Sequence, residues 1–261
     1  MIDHLSPSTV QSYRNCGRQV YFRKVMGVEN PVHYAMTEYG SAMHQAIEAL
    51  YKEKLSKADY IARFEKRWEE LSRAVNNWKN DSKEYLMGEG RKACEDFYDT
   101  VYGKYNITDV EQEFKLERGE GKLPVLCYAD AITDDGIIID YKFGRGFSGM
   151  ADSKSYLCNM ATYAWAYYEK HGKIPKIVFV KQKWKKRKDK ETGKYMFSHD
   201  CFVVDEKTLT KNDLDYYKSV YDGVEIGMNA GVWLPASDEC FLCKSCGYRL
   251  NGMCDRKEDD G

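Results

Sequence analysis

The sequence lacks any long apolar stretch, and no run approaches the roughly 18 consecutive apolar residues that suggest a transmembrane helix. Its first residues, Met1 to His4, lack the basic start and apolar region of a secretory signal. Prolines are few, 5 in 261 residues, and no segment is of low complexity, which argues against a disordered chain. We therefore expect a folded, intracellular protein.

The sequence also lacks an excess of charge of either sign. It has 40 basic and 41 acidic residues, a net charge of −1, which excludes a globally basic nucleic-acid coat but leaves local basic patches open. The hydrophobic fraction of 43% predicts a substantial core, in one large domain or two small ones.

The apolar pattern predicts a mixed α/β chain around one central sheet. Helical spacing predicts helices over about 6–26, 40–50, 58–79, 84–104, 153–171 and 206–228. Shorter apolar runs predict an antiparallel three-stranded meander over 109–143, a fourth strand at 177–180 and its hairpin partner at 197–204. No repeat or linker divides the chain.

Two acidic residues and a lysine flank the predicted hairpin within this meander. Asp130 and Asp140 end facing strands, so the turn brings their carboxylates side by side, and Lys142 points from the same sheet face as Asp140. With the backbone carbonyl of Tyr141, the carboxylates form a hard-oxygen site suited to Mg²⁺ or Mn²⁺. A lysine beside that ion can position water or stabilise charge on phosphorus. The alternative is a surface hairpin with polar ends, although charges that end buried strands are costly when unpaired.

Three other residues are candidates for the same site. Glu111 and Glu113 lie on the preceding strand, where one of them could point towards the carboxylates, although a solvated strand face is the simpler explanation for each. His44 lies on a predicted helix after Gly40-Ser41, and a lone helical histidine is more often structural than a ligand.

Four cysteines lie within 15 residues of the tail, spaced Cys240-x2-Cys243-x2-Cys246-x7-Cys254. Disulfides are rare inside cells, so this density predicts a metal site, either Zn²⁺ or an iron–sulfur cluster. Cys16 lies in a polar stretch, whereas the remaining cysteines fit core positions: Cys94, Cys127, Cys158 and Cys201. A zinc site could use the tail alone, and a cluster could recruit Cys16 and join the two chain ends; the spacing leaves both open.

Residues 181–190 read KQKWKKRKDK, with seven basic residues and one acidic residue, and we place them at the tip of the fourth-strand hairpin. The predicted nucleic-acid contacts are Lys181, Lys183, Trp184, Lys185, Lys186 and Arg187. The basic side chains could follow phosphates and the indole could stack on a base. A solubilising hairpin tip explains the segment equally well.

Taken in order, these elements resemble the PD-(D/E)XK nucleases, most closely the RecB-like exonuclease group with an iron–sulfur cluster (AddB-type, CRISPR-associated and phage nucleases). Leu5-Ser6-Pro7-Ser8 with Cys16 resembles the opening helix and first cluster cysteine of that family, and the tail cysteines stand where it closes its cluster. Gly40 to His44 resembles its G-x-x-x-H element.

The acidic motifs carry the rest of the resemblance. Asp130 resembles the first acid of the family and Asp140-Tyr141-Lys142 its (D/E)-x-K step, with Ala129 in place of the usual proline. Asn159-x3-Tyr163 stands where the family has Q-x-x-x-Y.

The resemblance implies a restriction-endonuclease-like fold, a central mixed sheet flanked by helices, with a helical N-terminal part and a cysteine-rich C-terminal tail. It implies one nuclease domain over 1–261, with a helical insertion at about 45–105 and an iron–sulfur tail at about 233–256 joined to Cys16. The implied catalytic residues are Asp130, Asp140, Lys142, His44, Asn159 and Tyr163. The implied ligands of Mg²⁺ or Mn²⁺ are His44, Asp130, Asp140 and Tyr141. The implied [4Fe–4S] ligands are Cys16, Cys243, Cys246 and Cys254, with Cys240 as an alternative ligand and Zn²⁺ as an alternative metal.

We thus expect a metal-dependent DNA nuclease, an exonuclease acting on DNA ends or single strands in recombination, repair or phage DNA processing. It would act in the cytoplasm of a bacterial or phage-infected cell, with DNA and a helicase, recombinase or CRISPR adaptation protein as partners. The alternative is a non-catalytic DNA-binding or interaction module with a zinc-binding tail.

Overall fold

The computed structural model describes residues 2–145, 154–188, 193, 195–237 and 241–254. One five-stranded sheet, in the order β1-β2-β3-β4-β5, lies between layers of helices and confirms the predicted fold class. The strands are β1 (Ile107–Leu116), β2 (Val125–Thr133), β3 (Ile138–Lys142), β4 (Lys176–Lys188) and β5 (Tyr195–Thr208). The helices are α1 (Pro7–Asn15), α2 (Gly17–Val20), α3 (Ala35–Glu53), α4 (Lys57–Leu71), α5 (Lys83–Thr100), α6 (Lys154–His171), α7 (Lys211–Asn229) and α8 (Gly247–Leu250).

The pairing of the strands follows from their connections. β1, β2 and β3 form the predicted antiparallel meander, and β4 pairs with β5 as the predicted hairpin. β3 and β4 are parallel, because α6 carries the chain back across the sheet between them.

Two apolar cores lie on opposite faces of the sheet. On one face, α1, α6 and α7 pack against strand residues such as Cys127 and Phe179. On the other, α3, α4 and α5 pack against residues such as Ile139 and Val178. Within the described part of the chain, no helix is both long and apolar enough to cross a membrane.

Two helices end earlier than the apolar spacing predicts. The first stops at Asn15, because Cys16 has extended backbone angles, and the chain resumes as α2 and a π-helical turn, Tyr21–Val25. The helix predicted over 58–79 ends at Leu71 and a short 3₁₀ turn. Beyond it, the backbone N–H groups of Asn76 and Asn77 donate to the carbonyl of His33 rather than to a helix.

The basic segment is also placed differently from the prediction. Lys181–Lys188 belongs to β4, whose pairing with β5 continues to the Lys188–Tyr195 pair. The apolar pattern predicts only the first half of this strand. The second half consists of consecutive basic residues, and it is a strand because its backbone pairs with β5. Asp189 and Lys190 lie outside the described residues.

Candidate metal-dependent active site

The predicted carboxylates meet where β2 and β3 part. The last paired residues there are Ala131 and Ile139, so Asp130 and Asp140 follow at facing positions. The backbone N–H of Tyr141 donates to Asp130 Oδ2 at 2.7 Å. The Asp130 carboxylate thus accepts a backbone N–H of β3, and this hydrogen bond holds the carboxylate at the junction of the two strands.

Lys142 and His44 complete the predicted centre. The Lys142 ammonium pairs with the carboxylate of Asp140, which is only 2% exposed. His44 reaches the site from α3, with its Nδ1 3.7 Å from Asp130 Oδ1, and the ring of Phe143 meets the imidazole edge-on at 5.1 Å between centroids. The structure therefore brings Asp130, Asp140, Lys142 and His44 to one place.

Glu111 joins them, although a solvated strand face was the simpler expectation for it. The pairs Val110–Ala131 and Gln112–Ala129 place Glu111 opposite Asp130. One ligand atom from each of His44, Glu111 and Asp130 lies within 4.8 Å of the others. Glu113 instead accepts a hydrogen bond from the Tyr128 hydroxyl at 2.7 Å.

Burial and crowding shift the pKa values of these groups. Burial, with the nearby charges of Asp130 and Glu48, raises the pKa of Glu111 to about 7. Burial also raises the pKa of Asp140 to about 6, against the lowering effect of Lys142, and it raises the pKa of Asp130. Burial, assisted by the charge of Lys142, lowers the pKa of His44 to about 4, so its imidazole is neutral at pH 7.

These groups fit a divalent cation. The carboxylates repel one another, and a cation between them would relieve that repulsion. Asp140 Oδ2 is buried and forms an ion pair with the Lys142 ammonium, which holds this carboxylate in the site. Carboxylate oxygens with one neutral imidazole are a donor set that suits Mg²⁺ or Mn²⁺. The Tyr141 side chain lies in the core that packs against α3, α4 and α5. Only its backbone carbonyl could therefore bind the ion, as predicted.

Asn159 and Tyr163 lie on α6, on the other side of the carboxylates from His44. Tyr163 is 8% exposed, and burial together with the charges of Asp140 and Asp130 raises its pKa well above the usual value. Its hydroxyl therefore stays protonated at neutral pH. Both residues line a cleft with the first residues of α1.

The cysteine tail packs against the segment that follows α1. Gln19 Nε2 lies 3.5 Å from Cys246 Sγ, and Arg18 Nη1 lies 3.9 Å from Cys254 Sγ. The Tyr248 hydroxyl donates to the carbonyl of Val28 at 2.9 Å. Two of the predicted ligands thus face the helix that begins directly after Cys16, while Cys240 lies outside the described residues.

The predicted nucleic-acid contacts on β4 divide into two groups. Lys181 is 4% exposed and pairs with Asp205. The ring of Trp184 packs against the ring of Tyr39 and under the guanidinium of Arg145, and its indole nitrogen is buried. Neither side chain lies where the prediction requires it for phosphate contact or base stacking. The exposed members of the set are Lys183, Lys185, Lys186 and Arg187.

Comparisons with known proteins bear on the family and the fold of the chain. The sequence model of the PD-(D/E)XK nuclease superfamily matches residues 4–251. The crystal structure of a "putative exonuclease" from Eubacterium rectale is 14% identical, covers 98% of this chain and 91% of its own, and has a TM-score of 0.55, a likeness of fold. The structure of SSO0001 is 13% identical, covers 93% and 95%, and has a TM-score of 0.39, which supports no argument. No curated protein matches the chain.

Proposed function

The chain belongs to the PD-(D/E)XK nuclease superfamily, and from that premise we propose that it hydrolyses phosphodiester bonds of DNA with Mg²⁺ or Mn²⁺ bound at the junction of β2 and β3. The observation that carries the proposal is the convergence of His44, Glu111 and Asp130 within 4.8 Å, beside the Asp140–Lys142 pair. A cation there would act as a Lewis acid on the phosphate and make bound water more acidic.

The side chains of the site have separate roles in the proposed reaction. His44, Glu111, Asp130 and Asp140 would hold the cation, and the backbone carbonyl of Tyr141 is a further ligand candidate. The Lys142 ammonium orients the attacking water. The water oxygen bonds to phosphorus and releases one proton to the solvent, while the bond from phosphorus to the leaving oxygen breaks and that oxygen takes a proton from the solvent. The same ammonium stabilises the charge that develops on the phosphate oxygens. Asn159 and Tyr163 position the strand from α6.

Replacing Asp140 with asparagine tests this assignment. The two side chains have nearly the same shape, so the fold should persist while a charged ligand is lost. We expect cleavage of a labelled single-stranded oligonucleotide to fall by about 100-fold or more, with an unchanged circular dichroism spectrum. Asp109→Asn, at an exposed acid on β1, is the matched control and should keep wild-type activity. An Asp140→Asn protein that cuts at the wild-type rate contradicts the site.

We propose further that the enzyme is an exonuclease on DNA ends or single strands, working in recombination, repair or phage DNA processing. The resemblance to RecB-like exonucleases supports this proposal. Linear and covalently closed circular single strands of the same sequence separate the two modes of cleavage. An exonuclease degrades only the linear strand, and loss of the circle indicates an endonuclease.

We also propose that Cys16, Cys243, Cys246 and Cys254 hold a structural [4Fe–4S] cluster. The resemblance to RecB-like exonucleases with an iron–sulfur cluster supports this proposal, and so do the contacts of Cys246 and Cys254 with the helix that follows Cys16. Iron, sulfide and zinc analysis of anaerobically purified protein tests the proposal. Iron with equal sulfide supports it, and stoichiometric zinc without iron contradicts it.

A further inference from the structure

The two faces of strand β4 differ where it extends beyond β3. β3 ends at Lys142, whose partner on β4 is Lys181, whereas β4 continues to Lys188. Side chains alternate between the two faces of a strand. The even-numbered ones face the core of α3, α4 and α5, as Val178 does, and the odd-numbered ones face the core of α1, α6 and α7, as Phe179 does. The basic residues of β4 therefore divide between the two faces.

On the even-numbered face, aromatic rings of the protein itself contact the basic segment. Trp184 packs against the ring of Tyr39, and the guanidinium of Arg145 lies over its indole. The Lys186 ammonium lies over the ring of Tyr195, 4.1 Å from its centroid. The indole is therefore not available to stack on a base, and the Lys186 ammonium already has a partner within the protein.

The odd-numbered face carries open cations. The Lys183 and Lys185 side chains are 59% and 60% exposed. Both ammonium groups lie 4.0 Å from the carboxylate of Asp200, which shows that they share one face. Lys181, the preceding odd-numbered residue, is buried and pairs with Asp205. The exposed positive charge of this face thus begins at Lys183.

This face is continuous with the metal site. On β3, Ile138 belongs to the core of α1, α6 and α7, and Tyr141 belongs to the opposite core. Alternation therefore places Asp140 and Lys142 on the face that the odd-numbered residues of β4 share. Because Lys142 and Lys181 are register partners, the lysines of β4 lead away from the catalytic lysine along one straight strand.

The spacing of these lysines suits the backbone of a nucleic acid. Alternate residues of a strand lie about 6.6–7 Å apart, which is about two nucleotide steps at an axial rise of about 3.4 Å. Lys185 lies about 13 Å further along β4 than Lys181, about four nucleotides on the same scale. A strand with one phosphate at the metal site therefore reaches both exposed lysines within a few nucleotides.

Asp200 does not cancel these charges. It is one carboxylate against two ammonium groups, and its side chain is 30% exposed. Ion pairs between exposed groups contribute little, because solvent screens them. Both lysines can therefore turn from Asp200 to a phosphate at low cost.

We propose that Lys183 and Lys185 bind the phosphates of single-stranded DNA a few nucleotides from the phosphate that is cut. The inference rests on the proposed nuclease function and deepens it by placing the path of the substrate along the odd-numbered face of β4. A single strand can extend to follow a straight row of cations. Contacts with phosphates carry no sequence information, so this binding is independent of sequence.

The test compares two double variants that each remove two positive charges from β4. Lys183→Gln/Lys185→Gln changes the odd-numbered face, and Lys186→Gln/Lys188→Gln changes the even-numbered face. The probe is a fluorescein-labelled single-stranded oligothymidylate with Ca²⁺ in place of Mg²⁺, and anisotropy gives the Kd at several salt concentrations. All four side chains are exposed, so both variants should keep the wild-type melting temperature.

We expect the Kd of Lys183→Gln/Lys185→Gln to rise about tenfold at low salt. The slope of log Kd against log salt should fall by about 1.4, because each phosphate contact of a single strand contributes about 0.7. Lys186→Gln/Lys188→Gln should stay within about twofold of the wild-type Kd with an unchanged slope, because solvent screens charges on the far face.

A change of opposite sign gives an independent check. Asp200→Asn removes the carboxylate that competes with phosphate for the two lysines, so Kd should fall about threefold. The same substitution in the Lys183→Gln/Lys185→Gln background should leave Kd unchanged. A gain in affinity of equal size in both backgrounds contradicts the contact.

Other outcomes overturn the inference. An equal rise in Kd for the two double variants indicates diffuse attraction by the hairpin, and a loss confined to a duplex probe refutes the single-strand path. A Kd of Lys183→Gln/Lys185→Gln equal to that of the wild type refutes the contact while leaving the nuclease function intact, provided that the wild type cuts the strand with Mn²⁺. A wild type that neither binds nor cuts the strand refutes the proposed function, and this path with it.

Discussion

Glu111 has a backbone conformation that few glutamates adopt. Its φ is +50°, in the left-handed region, although it lies inside strand β1. Such a conformation costs of order 1 kcal/mol or more and persists only where the surroundings impose it. The β1–β2 pairs on both sides of Glu111 supply that constraint, and they hold the side chain opposite Asp130.

Glu111→Gln should therefore have opposite effects on stability and catalysis. Without metal, glutamine removes the repulsion from Asp130 and Glu48, so the melting temperature at pH 8 should rise. With Mg²⁺ or Mn²⁺, the loss of a ligand should reduce cleavage by about tenfold or more. Scanning calorimetry and single-turnover cleavage measure the two effects. A variant that is less stable without metal and fully active with it would contradict the role.

The pH dependence of this variant follows from the raised pKa. Folding raises the pKa of Glu111 to about 7, from a usual value near 4.5. Between these values the folded state binds more protons than the unfolded state, so this residue makes the metal-free protein less stable as pH rises. The gain in melting temperature from Glu111→Gln should thus be larger at pH 8 than at pH 5. Asp109→Asn should show no such trend, and an equal gain at both pH values would refute the assignment.

Metal binding should be linked to the same protons. Carboxylates bind Mg²⁺ when ionised, and the pKa values of Glu111 and Asp140 are about 7 and about 6. We expect the rise in melting temperature caused by Mg²⁺ to be small at pH 5.5 and large at pH 8. Titration calorimetry in two buffers of different ionisation enthalpy should detect proton release on binding near pH 6.5. Binding without proton release contradicts this linkage.

At the scale of elements, helices α4 and α5 meet at a glycine. A Cβ at Gly90 would overlap the ring of Phe64, which is fully buried, whereas a Cβ at Gly88 meets nothing within 4 Å. We expect Gly90→Ala to destabilise the protein by about 1–3 kcal/mol. Gly88→Ala should stabilise it by up to about 1 kcal/mol, because alanine favours the helix. Urea unfolding measures both, and a Gly90→Ala protein as stable as Gly88→Ala would refute this packing.

The elements that the sequence predicted well are those with clear apolar periodicity. The three-stranded meander is confirmed, including the hairpin that carries Asp130 and Asp140. It could be predicted because Asp135-Gly136 marks the turn and apolar residues flank it. The register then places Asp130 opposite Asp140 without further information.

Other features depend on contacts that a linear pattern does not contain. The end of α4 is set by hydrogen bonds between Asn76, Asn77 and the distant His33. Lys181 is buried because Asp205, on a partner strand, pairs with it. The left-handed φ of Glu111 comes from strand pairing, and no glycine or asparagine marks it in the sequence.

At the scale of the whole molecule, the two ends of the chain pack together. Cys246 and Cys254 lie against Gln19 and Arg18, and Tyr34 donates its hydroxyl to the carbonyl of Ser245 at 2.8 Å. If a cluster joins these segments, its loss should release both ends while the sheet stays folded.

Cys246→Ser tests that arrangement. We expect loss of iron, poor solubility, and faster proteolysis near both termini than in the sheet, read by mass spectrometry of the first fragments. Cys201→Ser is the control, since Cys201 lies on β5 among residues unrelated to the tail. Cleavage of Cys246→Ser confined to the C-terminal tail would contradict a link to Cys16.

The proposed active site takes side chains from both helical layers and from the sheet between them. His44 comes from α3 on one face, Tyr163 from α6 on the other, and the carboxylates from the strands. A chain in which either layer is undocked thus has an incomplete centre. Under the proposed assignment, cleavage should therefore begin only when both layers are docked, so completion of the fold would itself guard nucleic acid against premature cutting.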